Sequence, residues 1–183
     1  MKEVFVFLAN GFEEIEATAT IDVLRRGDLK VNTVSVSNDK VVTGAHGIPV
    51  IADMTFPDSD FSNGSMLVLP GGMPGASNLN AHEGLKNLLS FYFESGKNVA
   101  AICAAPLVLG GLGILKGKKA TCYPGFEPQL IGAIVTGNPV EKDGMVITGR
   151  GPGFAIEFAL ALVAELQGEV KANEVAAGLM PPK

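Results

Sequence analysis

Apolar positions along this chain follow two spacings that alternate. Val4–Leu8, Met66–Leu69 and Val99–Ile102 are short continuous apolar runs, the pattern of strands buried on both faces. Between them the spacing lengthens to that of helices. Glu13–Arg26 carries an apolar stripe of Ile15, Ala19, Val23 and Leu24 and stops at Gly27, while Glu83–Ser95 places Leu85, Leu88, Leu89 and Tyr92 at helical spacing and stops at Gly96. Lys30–Val36 alternates as a strand, Lys40–Ile51 with Gly44 and Gly47 reads as a hairpin-like excursion, and Asp53–Gly64 reads mostly as loop. Further on, the sequence predicts a helix opening after Cys103, a short strand over Lys119–Tyr123, and a hairpin over Val140–Thr148 that turns at Asp143-Gly144. A long helix is expected from about Phe154 to Leu166, with Pro152 at its start and Gly168 at its end, and Val175–Lys183 reads as a loosely held tail. Repeated βα units predict an α/β fold with a mostly parallel sheet and helices on both faces.

Composition narrows the class of protein. A chain of 183 residues with 47% hydrophobic and 18% charged positions has the size and balance of one soluble domain, 1–183, with a sizeable core. Its formal net charge of −5 and the lack of a Lys/Arg stripe argue against a nucleic-acid surface. Met1–Leu8 has one basic residue and a short apolar run soon followed by Glu13 and Glu14, which supports neither a signal peptide nor a membrane span; a cytoplasmic location is the expectation. There the two cysteines, Cys103 and Cys122, are expected as free thiols. Without a CxxC, an HExxH or a Cys/His cluster, no metal or other cofactor is expected, and ligands for a metal would have to come from scattered positions.

Candidate chemistry gathers where strands end, since ligands of open α/β sheets bind beyond the carboxyl ends of the strands. Cys103 closes the run Val99–Ile102 and opens Ala104-Ala105-Pro106, a strand-to-helix turn of the kind that mounts a nucleophile; the alternative is a small buried hydrophobe. Gly71-Gly72, after Met66–Leu69, would direct backbone N–H groups at an oxyanion or simply make a tight turn. In the segment after the first strand, Glu13 and Glu14 suit the positive end of a helix, while Glu16, turned toward the sheet rim, would stay protonated by desolvation and exchange a proton with the thiol. His46 and His82 sit in polar surroundings and read as solvated loop residues. Tyr123 either bonds a substrate or packs half-buried, and Arg150, between Gly149 and Gly151, either binds a carboxylate or caps local carbonyls.

Taken together, Phe12-Glu13-Glu14-Ile15-Glu16, Leu69-Pro70-Gly71-Gly72-Met73-Pro74-Gly75-Ala76, Ala100-Ala101-Ile102-Cys103-Ala104-Ala105-Pro106 and Thr148-Gly149-Arg150-Gly151-Pro152-Gly153 resemble the ThiJ/PfpI superfamily, in its branch of the Parkinsonism-associated deglycase and bacterial relatives. The resemblance implies a flavodoxin-like three-layer sandwich, a homodimer, Cys103 as nucleophile with a protonated Glu16 beside it, and oxyanion donors at Gly72 and Ala104. It implies a cofactor-independent glyoxalase or deglycase that acts on small 2-oxoaldehydes or their early adducts, or alternatively a redox-stress sensor or chaperone-like protein that uses oxidation of Cys103. Both readings call for an exposed thiol of low pKa. Many members of the branch carry His where this chain has Tyr123, which leaves Glu16 as the proton carrier; in the same comparison His46 lies near where relatives can place an Arg from the dimer partner.

Overall fold

A computed structural model describes residues 1–180. β1 (Glu3–Leu8) leads into α1 (Glu14–Arg26), and β2 (Lys30–Ser35) returns beside β1 in parallel register, Val4 opposite Val31 and Phe7 opposite Val34. β3 (Val41–Thr43) and β4 (Pro49–Ile51) form the expected antiparallel hairpin. β5 (Met54–Thr55) then adds an edge to β2, and a short 3-10 turn over Phe56–Asp58 follows it inside a stretch that is otherwise loop. β6 (Met66–Leu69) pairs with the other side of β1, and α2 (Gly75–Ala81) and α3 (Glu83–Glu94) carry the chain to β7 (Asn98–Ile102). Met66–Leu69 and Val99–Ile102 are buried throughout, as their unbroken apolar runs require of strands covered on both faces.

After α4 (Pro106–Gly111), β8 (Lys119–Ala120) pairs only with β9 (Ile134–Val135), so the strand expected over Lys119–Tyr123 is shorter and stands outside the main sheet. The physical reason is a competing bond: the Tyr123 N–H donates to the Cys103 carbonyl at 2.9 Å, which turns this segment toward the end of β7. β10 (Val140–Asp143) and β11 (Val146–Gly149) form the hairpin turning at Asp143-Gly144, with β11 parallel to β7. α5 (Ala155–Gln167) and α6 (Glu169–Leu179) complete the order. α6 corrects the expected loose tail: Ala172 and Val175, three residues apart on one helical face, are buried as α6 packs on α5. The last part of that tail, residues 181–183, lies outside the described residues.

The main sheet runs β10-β11-β7-β6-β1-β2-β5, parallel except for β10. α1 packs on α5 and α5 on α6, while α2 contacts α3 and α4, and α3 contacts β6 and β7; helices thus cover both faces in a flavodoxin-like three-layer α/β sandwich. The strand order decides where a ligand belongs. From β1 the chain steps to β2 on one side and later returns to β6 on the other, so the crevice beyond the ends of β1 and β6 is the topological switch point. Glu13–Glu16, Gly71-Gly72 and Cys103 all follow strands that end there. Among the described residues no helix is long and apolar enough to cross a membrane.

Candidate active site

β7 delivers Cys103 at φ +64°, a left-handed conformation that is uncommon for a residue with a side chain. Two backbone bonds hold it there: its N–H donates to the Gly149 carbonyl at 2.9 Å, and its carbonyl accepts from Tyr123. Small Ala104 and Ala105 follow, and Pro106 opens α4 at a position where no backbone N–H is needed. The elbow leaves the thiol against Gly71 and Gly72. A Cβ on Gly71 would lie 2.6 Å from the Cys103 Cβ and 2.7 Å from Glu16 Oε2, so only glycine lets thiol and carboxyl meet over this turn. Gly72 has φ +88°, and a Cβ there would run into the Glu13 N–H and the Gly11 carbonyl. The two loops are also bonded to each other, Glu13 N–H to Gly71 carbonyl at 2.9 Å and Gly75 N–H to Gly11 carbonyl at 3.1 Å.

Glu16 is fully buried in the first turn of α1. Its Oε2 accepts the Gly71 N–H at 2.8 Å, Oε1 is buried without a hydrogen-bond partner among the described residues, and the Cys103 thiol lies beside the carboxyl. Burial pushes this carboxyl up to about 7, against lowering by the thiol and by the Gly71 N–H. Cys103 is itself buried, 8% exposed, and its thiol is pushed up to about 12, first by burial and then by the charge and hydrogen bond of Glu16; the Gly72 and Ala104 N–H groups pull it back. The exposed thiol of low pKa expected from the sequence is therefore corrected. Between pH values of about 7 and about 12 the pair holds one proton. When that proton sits on Glu16 the carboxylate that raises the thiol is gone, and the thiolate that remains faces two backbone donors.

Above the thiol opens a cleft of about 570 Å³ whose walls include Glu13, His46, Ile48, Tyr123 and Pro152. A smaller cleft of about 170 Å³ at Arg25 and Asp53 lies away from this chemistry. Glu13 does cap α1, its Oε2 accepting the Glu16 N–H at 2.7 Å. Glu14 does something else. It accepts the His46 N–H at 2.6 Å and meets His46 Nδ1 at 2.8 Å, filling the space that a side chain on Gly44 would occupy and latching the β3–β4 hairpin to α1. His46 is a solvated loop residue as expected, but it is also paired, and its hydrogen bond to Glu14 raises its pKa. The reading of His82 is corrected: its Nδ1 accepts the Leu85 N–H at 3.0 Å and caps α3.

Ligand atoms of Glu13, Glu14 and His46 lie within 4.8 Å of one another, the grouping that comes nearest to a metal site among the described residues. Three of their four carboxylate oxygens already meet protein donors: Glu14 Oε1 the His46 N–H, Glu14 Oε2 the imidazole, Glu13 Oε2 the Glu16 N–H. Such a set is satisfied as an ion pair and a cap. Of the two roles anticipated for Arg150, the structure shows the bond to a local carbonyl, Nη1 donating to Gly137 at 2.8 Å, while the residue also lines a pocket beside the cleft.

The profile of the DJ-1/PfpI family matches residues 2–165. The chain belongs to this family. It is 42% identical over 182 residues to Protein DJ-1 homolog A of Arabidopsis thaliana, covering 98% of this chain but 46% of that protein, so the chain spans about half the length of that relative. It is 36% identical over 166 residues to the glutathione-independent glyoxalase DJR-1.2 of Caenorhabditis elegans, covering 89% of this chain and 87% of that one. Among solved structures, a DJ-1 superfamily protein of Salmonella typhimurium, crystallised as a cysteine-to-alanine mutant, superposes with a TM-score of 0.95 at 35% identity, covering 100% of both chains. Within this DJ-1/PfpI fold the sequence reading brought Cys103, Glu16, Gly71, Gly72 and Ala104 to one place, with Tyr123 on the cleft wall. It missed the Glu14–His46 latch. Glu14 and His46 are 32 residues apart, and the only local trace of their meeting is Gly44, which leaves room for the carboxylate.

Proposed function

We propose that this DJ-1/PfpI protein is a cysteine-dependent, cofactor-independent enzyme that converts small 2-oxoaldehydes, or their early adducts, to hydroxy acids. The observation that carries the reading is a fully buried carboxyl, poised at about 7, beside a thiol on a strained elbow. Similarity to a glutathione-independent glyoxalase supports it. Glu16 takes the proton of Cys103, and the thiolate forms a C–S bond to the aldehyde carbon. The Gly72 and Ala104 N–H groups stabilise the oxyanion until Glu16 returns the proton to it, giving a hemithioacetal. Glu16, again a carboxylate, then removes the proton from the former aldehyde carbon to give an enediol as the keto oxygen takes up a proton. It returns a proton to the former keto carbon as the hydroxyl on the first carbon gives up its own, so that one C–H and one O–H proton move from the first carbon and its oxygen to the second. The first carbon is thereby oxidised to a thioester and the second reduced to an alcohol, with no external oxidant. Water breaks the C–S bond and releases the hydroxy acid and the thiol. Tyr123 lines the cleft where its hydroxyl would bond the substrate.

The working form in this reading is a cytoplasmic homodimer, for which the exposed Val41, Ile48 and Ile51 of the β3–β4 hairpin offer an apolar face. The test is lactate formation from methylglyoxal, free of metal and glutathione, by wild type and Cys103→Ala. Turnover that depends on Cys103 supports the proposal, and equal turnover by both proteins overturns it. A second reading has its own support in Glu16 Oε1, which is buried without a firm partner and, protonated, would donate to a sulfinate oxygen on Cys103 formed by peroxide. Absent turnover together with selective peroxide oxidation of Cys103, read by mass spectrometry, would favour that sensor.

A further inference from the structure

The cleft over Cys103 is already the size of pockets that enclose drug-sized ligands, well beyond the needs of a three-carbon dicarbonyl. It also has a neighbour. A second pocket of about 300 Å³ is walled by Tyr123, Pro124, Arg150, Gly151, Pro152 and Phe154, and shares Tyr123 and Pro152 with the cleft. Its construction is specific. A Cβ on Gly151 would stand 3.1 Å from the Tyr123 ring, so the absent side chain lets that ring settle between the two spaces. The Arg150 backbone N–H donates to the Pro139 carbonyl at 2.9 Å and Nη1 to the Gly137 carbonyl, which fixes the guanidinium from one side. Among the described residues no carboxylate pairs with it, and its remaining N–H donors find no protein acceptor.

We propose that this pocket is a second substrate subsite, which takes an aryl group ending in a carboxylate on 2-oxoaldehydes whose aldehyde carbon meets Cys103. The proposal rests on the glyoxalase reading. Flat apolar walls from Pro124, Pro152, Phe154 and Tyr123 suit a planar ring, and a half-fixed guanidinium with free donors suits a carboxylate, which it holds by charge-assisted hydrogen bonds. Arg150 is thus a specificity residue, and methylglyoxal, too short to reach it, does not use it.

Two measurements separate the subsite from the reaction. By calorimetry, Cys103→Ser protein should bind 4-carboxymandelate about tenfold more tightly than mandelate, and Arg150→Gln added to it should remove that preference. In turnover, Arg150→Gln should lower kcat/KM for 4-carboxyphenylglyoxal about tenfold and leave methylglyoxal unchanged. Phe154→Glu, which places a carboxylate in the same pocket without touching the Gly137 bond, should abolish the preference as well and serves should Arg150→Gln misfold. Equal binding of the two mandelates, or a preference that survives both variants, overturns the subsite. A binding preference without turnover of any glyoxal overturns the glyoxalase reading and leaves the pocket's ligand class standing.

Discussion

Cys103 and Cys122 are both free, both buried and both raised, to about 12 and about 11, yet their surroundings differ in kind. Cys122 is held up by burial and the charge of Glu127, with Arg150 pulling the other way, and no backbone donor acts on its sulfur. At Cys103 burial is again the largest cause, but the next is Glu16, which can take the proton itself, and the Gly72 and Ala104 N–H groups wait for the thiolate. A height of pKa therefore does not tell the two thiols apart. What separates them is whether the group that opposes ionisation can also accept the proton.

The comparison breaks most directly by exchange. Cys103→Ala should lower methylglyoxal turnover more than about a thousandfold, whereas Cys122→Ala should leave it near wild type; loss in both variants would erase the distinction between the thiols. Glu16→Gln should slow turnover about a hundredfold, while iodoacetamide labelling of Cys103 is retained or quickened because the opposing charge is gone. The same substitution has a signature in stability. A carboxyl raised from 4.5 to about 7 binds its proton more tightly in the folded state, so it costs folding stability as pH climbs through that window and nothing below it. Denaturant titrations should show wild type falling relative to Glu16→Gln between those pH values, by up to about 3 kcal/mol. A constant difference would mean that Glu16 is not perturbed.

Gly71→Ala, which drives a methyl between thiol and carboxyl, should cost about 1–3 kcal/mol of stability and uncouple the pair, with turnover falling further than at a remote glycine such as Gly178 in α6. The smallest effect belongs to the latch. The raised pKa of His46 means that its pairing with Glu14 is fully present below 6.5 and is lost as pH rises through the folded value. His46→Gln should therefore lower the melting temperature relative to wild type only in mildly acidic buffer, and a difference independent of pH would refute the ion pair.

Most of the alternation was legible, because a strand covered on both faces must be apolar without interruption and Val4–Leu8, Met66–Leu69 and Val99–Ile102 are. β5 and α2 were not, since a two-residue edge and the small, polar Gly75–Ala81 carry no periodicity of their own. α6 hid for the same reason, its apolar face having meaning only against α5. Cys103 and Gly71-Gly72 were visible because a thiol and paired glycines at strand ends are unusual locally. His82 was misread because capping depends on one ring nitrogen meeting one N–H, which residue type does not specify.

The sequence by itself determined the layered α/β class, the family and the rim on which the chemistry stands, all of which follow from local spacing of apolar residues and short motifs. Only the tertiary structure decided that Glu16 is sealed from water, that its Oε2 meets an N–H 55 residues away, and that Cys103 is buried and raised rather than exposed and low. The physical reason is that periodicity reports which face of an element is buried, whereas desolvation and charge act through space between elements whose approach no local pattern encodes.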